Sequence, residues 1–484
     1  MKFIWKYCRV WFLVSAIVIA LFFSATMVAT QNQFLANTIS TVLGGERRVL
    51  VSGDPTKYQY FDKDASFRQF DPGVENFNVD ENGRQLSDKD KKAQALEKAR
   101  LLNEEIEEEG IVLLKNENNA LPLEGDAPRV SVFGKNSADI VLGGSGSGGG
   151  NTEGAIGLYE GLENAGFVLN PELKNFYEGN SSGSGREANP PIEGGGITGL
   201  RIGETPYANY PSSVKSRYSQ YDDAAIIVIS RIGGEGFDLP RTMVTSYGGV
   251  PVEGAKEGQH YLELDANEEK LVEEVTKAGF DKVILLVNCS TSMELGFVED
   301  NDGIDAALWI GSPGSSGTNA IGRVLKGEVN PSGRLVDTYV RDFTSDPTFK
   351  NFGDNMSSRG NEYTSAGSPS DYYFVEYEEG LYYGYRYYET RSYQEVYRFG
   401  EDGGFYEDSV VYPFGYGLSY STFDWEIVEE KTTPAGTISS PDDEITITVK
   451  VTNNGPYAGK DVVQLYYSAP YYNGGIEKSH VVLG

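Results

Sequence analysis

The chain has 484 residues and a formal net charge of −30, so we expect two or three domains and a surface that repels polyanions such as nucleic acid. Its two cysteines, Cys8 and Cys289, offer no disulfide framework. The two histidines, His260 and His480, lie far apart in the sequence, so a zinc or haem site has almost no support.

An apolar segment near the N-terminus predicts a membrane anchor. Basic residues precede twenty uncharged residues, Val10 to Ala29, which as a helix would be roughly 30 Å long and could cross the hydrocarbon core. We therefore expect residues 1–30 to form a cytoplasmic stub and an uncleaved signal anchor in the cell membrane, with the rest of the chain extracellular. The alternative is a secretory signal peptide that is cleaved after Ala29.

A polar and aromatic connector over residues 31–87 leads to the first helical pattern. Ser87 is suited to cap this helix and Gly110 to end it. Apolar residues recur within it at helical spacing, which predicts one apolar face made of Ala95, Leu96, Ala99, Leu102 and Ile106.

Short apolar runs then alternate with helical patterns. The runs are IVLLKN from residue 111, VSVFG from 130, AAIIVIS from 224, KVILLVN from 282 and DAALWI from 305, and helical patterns begin near residues 266 and 318. Such alternation is typical of a mostly parallel sheet that helices cover on both faces. We therefore predict a three-layer α/β sandwich over residues 88–420.

The pattern changes after Pro413. In EITITVKVTNNGPYAGKDVVQLYYS apolar and polar residues alternate, and residues 453–455 are typical of a turn between two strands. This pattern predicts an antiparallel, immunoglobulin-like sandwich, which needs roughly 100 residues. We therefore expect residues 421–484 to be an incomplete domain of this immunoglobulin-like form, inside which the given chain ends.

The carboxylate of Glu235 is the candidate catalytic group. It lies in the stretch ISRIGGEGFDLPR, shortly after a predicted strand and between glycines that would let a ligand approach the backbone closely. A carboxylic acid beside a cleft can donate a proton if burial raises its pKa toward neutrality. The pattern alone also allows the alternative that Glu235 is an ordinary solvated acid.

Two further patterns allow more than one interpretation. The segment GGSGSGGG, residues 143–150, contains GxGxxG, but KNSADIVL separates it from the preceding strand, so we interpret it as a glycine loop at the sheet edge and not as a dinucleotide site. The tyrosine-rich segment 371–400 could stack on sugar rings or pack one domain against another.

Seven landmarks occur in a consistent order along the chain. They are EEGIVLLKNENNALPL from residue 108, the GGSGS of the glycine loop, GGEGFD from 233, KVILLVN from 282, VNPSGR from 329, EEGLYYGYRYYET from 378 and VYPFGYGLSYSTF from 411. Together they closely resemble the α/β sandwich domain of glycoside hydrolase family 3, followed by the beginning of its fibronectin type III-like domain.

This resemblance implies a function for Glu235. It makes Glu235 the acid/base of a retaining, β-glucosidase-like hydrolase that acts on terminal β-linked sugars and needs no cofactor or metal. The aspartate nucleophile would come from a TIM-barrel domain, which would follow this chain in an inverted domain order. Asp238 and Arg241 are candidate substrate-binding residues, although this segment departs from the usual family pattern and the two could instead form a loop-stabilising ion pair.

Three other functions remain open at this stage. A β-xylosidase would use the same residues on a different sugar. A surface-anchored carbohydrate-binding module would need no nucleophile. A peptidoglycan N-acetylglucosaminidase is a further possibility, although the resemblance disfavours it because that branch typically works from the barrel alone.

Overall fold

A computed structural model describes residues 87–483 except for 151, 188–199, 236–238, 245–249, 352–361, 364–371, 374–376, 401–402, 435, 438, 441 and 473–478. The chain divides into two compact units, Met1–Ser87 and Asp88–Gly484, and the elements described here belong to the second. The predicted anchor over residues 1–30 and the candidate residue Asp238 lie outside the described residues. Within the described ranges, no helix has the length and apolar character needed to span a membrane.

The helices are α1 (Asp88–Gly110), α2 (Leu158–Asn164), α3 (Pro171–Glu178), α4 (Ser212–Lys215), α5 (Ala266–Thr276), α6 (Gly296–Glu299), α7 (Thr318–Leu325), α8 (Pro347–Asn351), α9 (Tyr385–Phe399) and α10 (Phe405–Ser409). The strands are β1 (Val112–Asn116), β2 (Arg129–Phe133), β3 (Val168–Leu169), β4 (Ala224–Arg231), β5 (Val283–Cys289), β6 (Ala306–Trp309), β7 (Tyr339–Val340), β8 (Glu362–Tyr363), β9 (Tyr372–Tyr373), β10 (Val410–Tyr412), β11 (Phe423–Ile427), β12 (Val449–Asn453), β13 (Tyr466–Ser468) and β14 (Val481–Leu483).

The central feature is a six-stranded sheet with strand order β1-β6-β5-β4-β2-β3. Strands β3, β2, β4, β5 and β6 run parallel, and β1 joins the edge antiparallel to β6. The predicted, mostly parallel sheet is therefore confirmed. Every residue of β4 and β5 is buried, which explains their uninterrupted apolar sequences.

Helices cover both faces of this sheet. Alternate residues of a strand point to opposite faces, so Ile227 packs into one apolar cluster and Ile226 into another. The first cluster includes Leu271 of α5, and the second includes Ile321 of α7. This arrangement is the predicted three-layer α/β sandwich.

Helix α1 forms where the sequence predicts it, but its apolar face does not pack against the sheet domain. Leu96, Leu102 and Ile106 are 60%, 52% and 60% exposed, whereas Glu104 and Glu107 are buried. The facing helix α7 presents polar side chains, Asn319 and Arg323, and these bond to Glu104. The buried face of α1 is therefore polar because its partner surface is polar.

The C-terminal strands pair in antiparallel fashion, as their alternating pattern predicts. Strand β11 pairs with β12, and β13 pairs with β14. The predicted turn is present, since Gly455 N donates to Asn453 Oδ1 at 2.8 Å, but β12 pairs with the strand before it and not with the strand after the turn. Several apolar side chains of these strands are exposed, among them Trp425, Ile427 and Tyr467.

Candidate active site

Two loops meet at the edge of the sheet where the parallel strands end. One is the segment that follows β4 and carries Glu235, and the other is the glycine loop, residues 143–150, which comes after β2. Ser145 joins them, because its N–H donates to Gly233 O at 3.1 Å and its hydroxyl donates to the carbonyl oxygen of Glu235 at 2.9 Å. This edge is where open α/β sheets bind ligands.

The carboxylate of Glu235 is held by one residue of the glycine loop. The backbone N–H of Ser147 donates to Glu235 Oε2 at 2.7 Å, and the Ser147 hydroxyl donates to the same oxygen at 2.5 Å. Both bonds lower the pKa of Glu235, and the bond from the hydroxyl has the larger effect. Glu235 is exposed and ionised here, so the condition that burial raises its pKa is not met in this state.

Two glycines allow this close approach. Gly146 has φ +61°, and a Cβ on it would lie 2.7 Å from both Cβ and Oε2 of Glu235. A Cβ on Gly234, with φ +151°, would lie 2.4 Å from the backbone nitrogen of Ser145. Larger residues at either position would therefore separate the two loops.

The sequence pattern predicts a glycine loop at the sheet edge, but that prediction left out its serines. Ser145 and Ser147 both bond to Glu235 and are the residues of the candidate site that were missed. The available signal was the alternation of serine and glycine in GGSGSGGG, because small residues let a backbone N–H and a hydroxyl reach a neighbouring carboxylate.

Two clefts adjoin the segment before Glu235. The glycine-loop cleft has a volume of about 560 Å³ and is lined by residues 138–146, Arg186 and Ile232, among others. The Arg241 cleft has a volume of about 460 Å³ and is lined mainly by apolar and aromatic groups, including Leu239, Leu262, Phe343 and Phe349, with Gly233 and Gly234 at its border. Glu235 is thus presented close to two surfaces that could contact a ligand.

Arg241 belongs to the second of these clefts. Its guanidinium lies 3.8 Å from the centre of the Phe349 ring, and it donates a hydrogen bond to the Phe349 carbonyl oxygen. Arg241 therefore lies in the wall of this cleft, stacked on an aromatic ring. The proposed pairing of Arg241 with Asp238 stays a prediction, because Asp238 is not among the described residues.

One cluster in the described part of the chain has the composition of a metal site, namely His260, Glu263 and Glu294. The N–H of Leu262 donates to His260 Nδ1 at 3.2 Å, so Nδ1 is unprotonated and the ring proton is on Nε2. Nε2 lies 3.0 Å from Glu294 Oε1 and donates to it. The backbone N–H of His260 donates to Glu263 Oε2 at 2.8 Å, so hydrogen bonds join all three residues of the cluster.

Comparison with known proteins shows the family to which this chain belongs. The family profile described as the glycosyl hydrolase family 3 C-terminal domain matches residues 111–385, more than half of the 484-residue chain. The chain belongs to glycosyl hydrolase family 3. The resemblance deduced from the seven sequence landmarks is therefore confirmed.

Individual relatives of this family member are similar over most of its length. It is 33% identical over 393 residues to beta-glucosidase A of Butyrivibrio fibrisolvens and 32% identical over 367 residues to a beta-glucosidase of Ruminococcus albus. These matches cover 78% and 76% of this chain but only 42% and 32% of the relatives. The chain thus spans less than half the length of either curated relative.

Solved structures of family 3 enzymes have the same fold. Beta-glucosidase 3B from Thermotoga neapolitana in complex with glucose matches with a TM-score of 0.58 and 28% identity, over 80% of this chain and 46% of that chain. A beta-glucosidase from Paenibacillus barengoltzii matches with a TM-score of 0.58 and 30% identity, over 80% of this chain and 36% of that chain.

Proposed function

We propose that this chain supplies the acid/base domain of a β-glucosidase-like glycoside hydrolase, in which Glu235 transfers the proton. The observation that carries this proposal is the position of Glu235, an exposed carboxylate that the glycine loop contacts at the ligand-binding edge of the parallel sheet. Similarity to beta-glucosidases, one of them in complex with glucose, supports the choice of substrate class.

A retaining mechanism requires a second carboxylate. The nucleophile and the acid/base of such an enzyme lie about 5–5.5 Å apart and act on the same anomeric carbon. We propose that an aspartate of a TIM-barrel domain outside these 484 residues is the nucleophile, as the family resemblance implies. Glu235 would protonate the leaving oxygen in the first step and deprotonate water in the second.

The ionised state of Glu235 corresponds to one half of this cycle. A carboxylate held by hydrogen bonds is ready to act as a base on water, but proton donation requires a protonated carboxyl group. When a glycoside fills the site and excludes water, desolvation favours the neutral form and raises the pKa. The acid step therefore begins only after Glu235 has gained a proton, from solvent as the substrate binds or from the water that it deprotonated in the preceding cycle.

The test is Glu235→Gln in the protein that includes its barrel domain, assayed on aryl β-glucosides with a series of leaving groups. The glycosylation rate should fall about 10²–10⁴-fold for a poor leaving group and much less for an activated one that departs without a proton. Deglycosylation should be impaired throughout, because the base is lost. A uniform loss across the series would contradict the acid role and indicate binding or structure.

Two controls make this test specific. Glu257→Gln changes another exposed acid on a glycine-containing loop and should leave both rates unchanged. Comparison of kcat/KM for aryl β-glucosides and aryl β-xylosides distinguishes the proposed activity from that of a β-xylosidase. Complete absence of turnover together with oligosaccharide binding would support a non-catalytic binding module instead.

We also propose that residues 1–30 anchor the protein in the cell membrane, with the sheet domain outside the cell. The uncharged segment Val10 to Ala29 supports this proposal. The protein should stay with membranes after an alkaline wash and be accessible to protease from outside. Recovery of soluble protein that begins near Gln31 would instead support a cleaved signal peptide.

A further inference from the structure

The contact between Ser147 and Glu235 concentrates two donors on one carboxylate oxygen. Both the N–H and the hydroxyl of Ser147 bond to Oε2, at 2.7 and 2.5 Å. A carboxylate oxygen accepts two such bonds readily when it is ionised, whereas a proton on that oxygen would compete with the donors. The geometry therefore distinguishes between the two protonation states of Glu235.

The glycine loop is shaped to make this contact. It closes on itself through Gly144 N, which donates to Gly148 O at 3.1 Å, and Ser145 ties it to the neighbouring segment. A Cβ at position 146 would overlap Glu235, and glycine avoids this clash because it has no side chain. The loop thus presents a short, oriented pair of donors to a carboxylate, as backbone concavities that bind anions do.

We propose that the glycine loop is a receptor for the ionised carboxylate of Glu235 and that Ser147 is the residue that positions it. This inference rests on the proposed acid/base function of Glu235. The receptor holds the base form after the first step, when Glu235 has given up its proton. The proton that Glu235 takes from water in the second step weakens the contact, so that the carboxyl group can turn toward the next leaving group. Ser147 thereby sets how readily Glu235 changes from base to acid.

Among the described residues, other charged groups near the site do not account for the lowered pKa of Glu235. The glycine loop has no titratable side chain. Asp139 and Arg186 line the glycine-loop cleft, and Arg241 and His260 line the other one. Among the described residues, the groups that lower the pKa of Glu235 are the hydroxyl and the N–H of Ser147.

A titration of Glu235 tests this inference without substrate or barrel domain. The full 484-residue chain is labelled with carboxyl-¹³C glutamate, and the Glu235 signal is assigned by its loss in Glu235→Gln. In Ser147→Ala the midpoint should rise by about 0.5–1 pH unit, a 3–10-fold decrease in the acid dissociation constant. Ser147→Cys, with a weaker donor, should give a smaller rise, and Ser147→Thr should restore the wild-type midpoint.

Ser145→Ala is the matched control, because the Ser145 hydroxyl bonds to the backbone oxygen of Glu235 and not to its carboxylate, and the backbone bond from Ser145 N to Gly233 O that joins the two loops is kept. Its Glu235 midpoint should equal that of the wild type. An unchanged midpoint in both Ser147→Ala and Ser147→Cys would overturn the inference, and so would an equal rise in Ser145→Ala. Having two weakened variants keeps the test decisive if one of them folds poorly.

The rate profile then separates this inference from the proposed function. In the protein with its barrel, the alkaline limb of kcat/KM reports the pKa of the group that donates the proton. If Ser147→Ala raises both the titration midpoint and this limb, inference and function are supported together. A raised midpoint with an unmoved limb would support the receptor and contradict the acid role of Glu235.

Discussion

Arg231 and Glu268 form a buried, two-point ion pair at the end of the strand that leads to Glu235. The two guanidinium Nη atoms lie 2.7 Å from Oε1 and Oε2 of the carboxylate, and neither side chain is more than 1% exposed. Arg231 Nε also donates to Tyr261 O at 2.6 Å. The pair therefore ties the end of β4 to α5 and to the neighbouring loop.

Removing one member of this pair should be strongly destabilising. Glu268→Ala leaves a buried guanidinium without its counter-ion, and the free energy of unfolding should fall by about 3–5 kcal/mol. Urea denaturation measures this loss. The adjacent Glu269→Ala removes an exposed pair with Lys256 and should cost no more than about 1 kcal/mol. Equal losses in the two variants would contradict the structural role of the buried pair.

A methyl group on Gly146 should uncouple the glycine loop from Glu235. In Gly146→Ala the new Cβ would overlap Glu235, so the bonds from Ser147 should lengthen or break and the pKa of Glu235 should rise toward its ordinary value. The ¹³C titration of Glu235 measures this rise.

Gly148→Ala provides the control within the same loop, because a Cβ on Gly148 would meet no atom within 4 Å. Its Glu235 midpoint should match that of the wild type. If both variants raised the midpoint equally, a general loosening of the loop would explain the result, and the direct overlap at Gly146 would not.

In α1, a substitution on the polar face should cost more stability than a substitution on the apolar face, which is the reverse of the usual order. Leu102→Gln changes an exposed side chain and should alter stability by no more than about 0.5 kcal/mol. Glu104→Ala removes a buried carboxylate that accepts from Asn319 at 2.8 Å and Arg323 at 3.0 Å, and should cost about 1–3 kcal/mol. The urea denaturation midpoints of the two variants measure these changes in stability. A larger loss for Leu102→Gln would mean that the apolar face is the packed one.

These faces also show the limit of sequence periodicity. The apolar spacing in α1 predicted the helix correctly, since spacing reports the local conformation. Which face is buried depends on the surface that the helix meets, and here that surface carries Asn319 and Arg323. The sheet was more predictable, because the fully buried strands β4 and β5 need continuous apolar sequences.

Only part of the candidate site could be predicted from the sequence. Glu235 could be located because it follows a buried strand and has glycine neighbours. Its contact with Ser147 could not, because the two residues are 88 positions apart and only the folded loops bring them together. The direction of the pKa shift follows from that contact, and therefore required the structure.

Burial of Glu204 should make the stability of the domain depend on pH. Its oxygens accept from the backbone N–H of Lys135 and of Thr205, both at 2.9 Å, within an almost completely buried site. Burial, together with the nearby charges of Glu268 and Asp265, raises its pKa from 4.5 to about 8. Folded Glu204 is therefore protonated at neutral pH.

The sign of the pH dependence follows from this raised pKa. Between pH 4.5 and about 8 the folded protein keeps a proton that the unfolded chain releases, so stability is greatest below this window and is lost as pH rises through it. Glu204→Gln resembles the protonated form and cannot release a proton. Its free energy of unfolding should therefore decline less steeply with rising pH than that of the wild type, with a difference in slope of up to about 1.4 kcal/mol per pH unit. Urea denaturation from pH 5 to 8 measures both slopes. The control is Glu172→Gln, which changes an exposed acid in α3 and should keep the wild-type slope. If Glu204→Gln also kept the wild-type slope, Glu204 would be ionised in the folded protein.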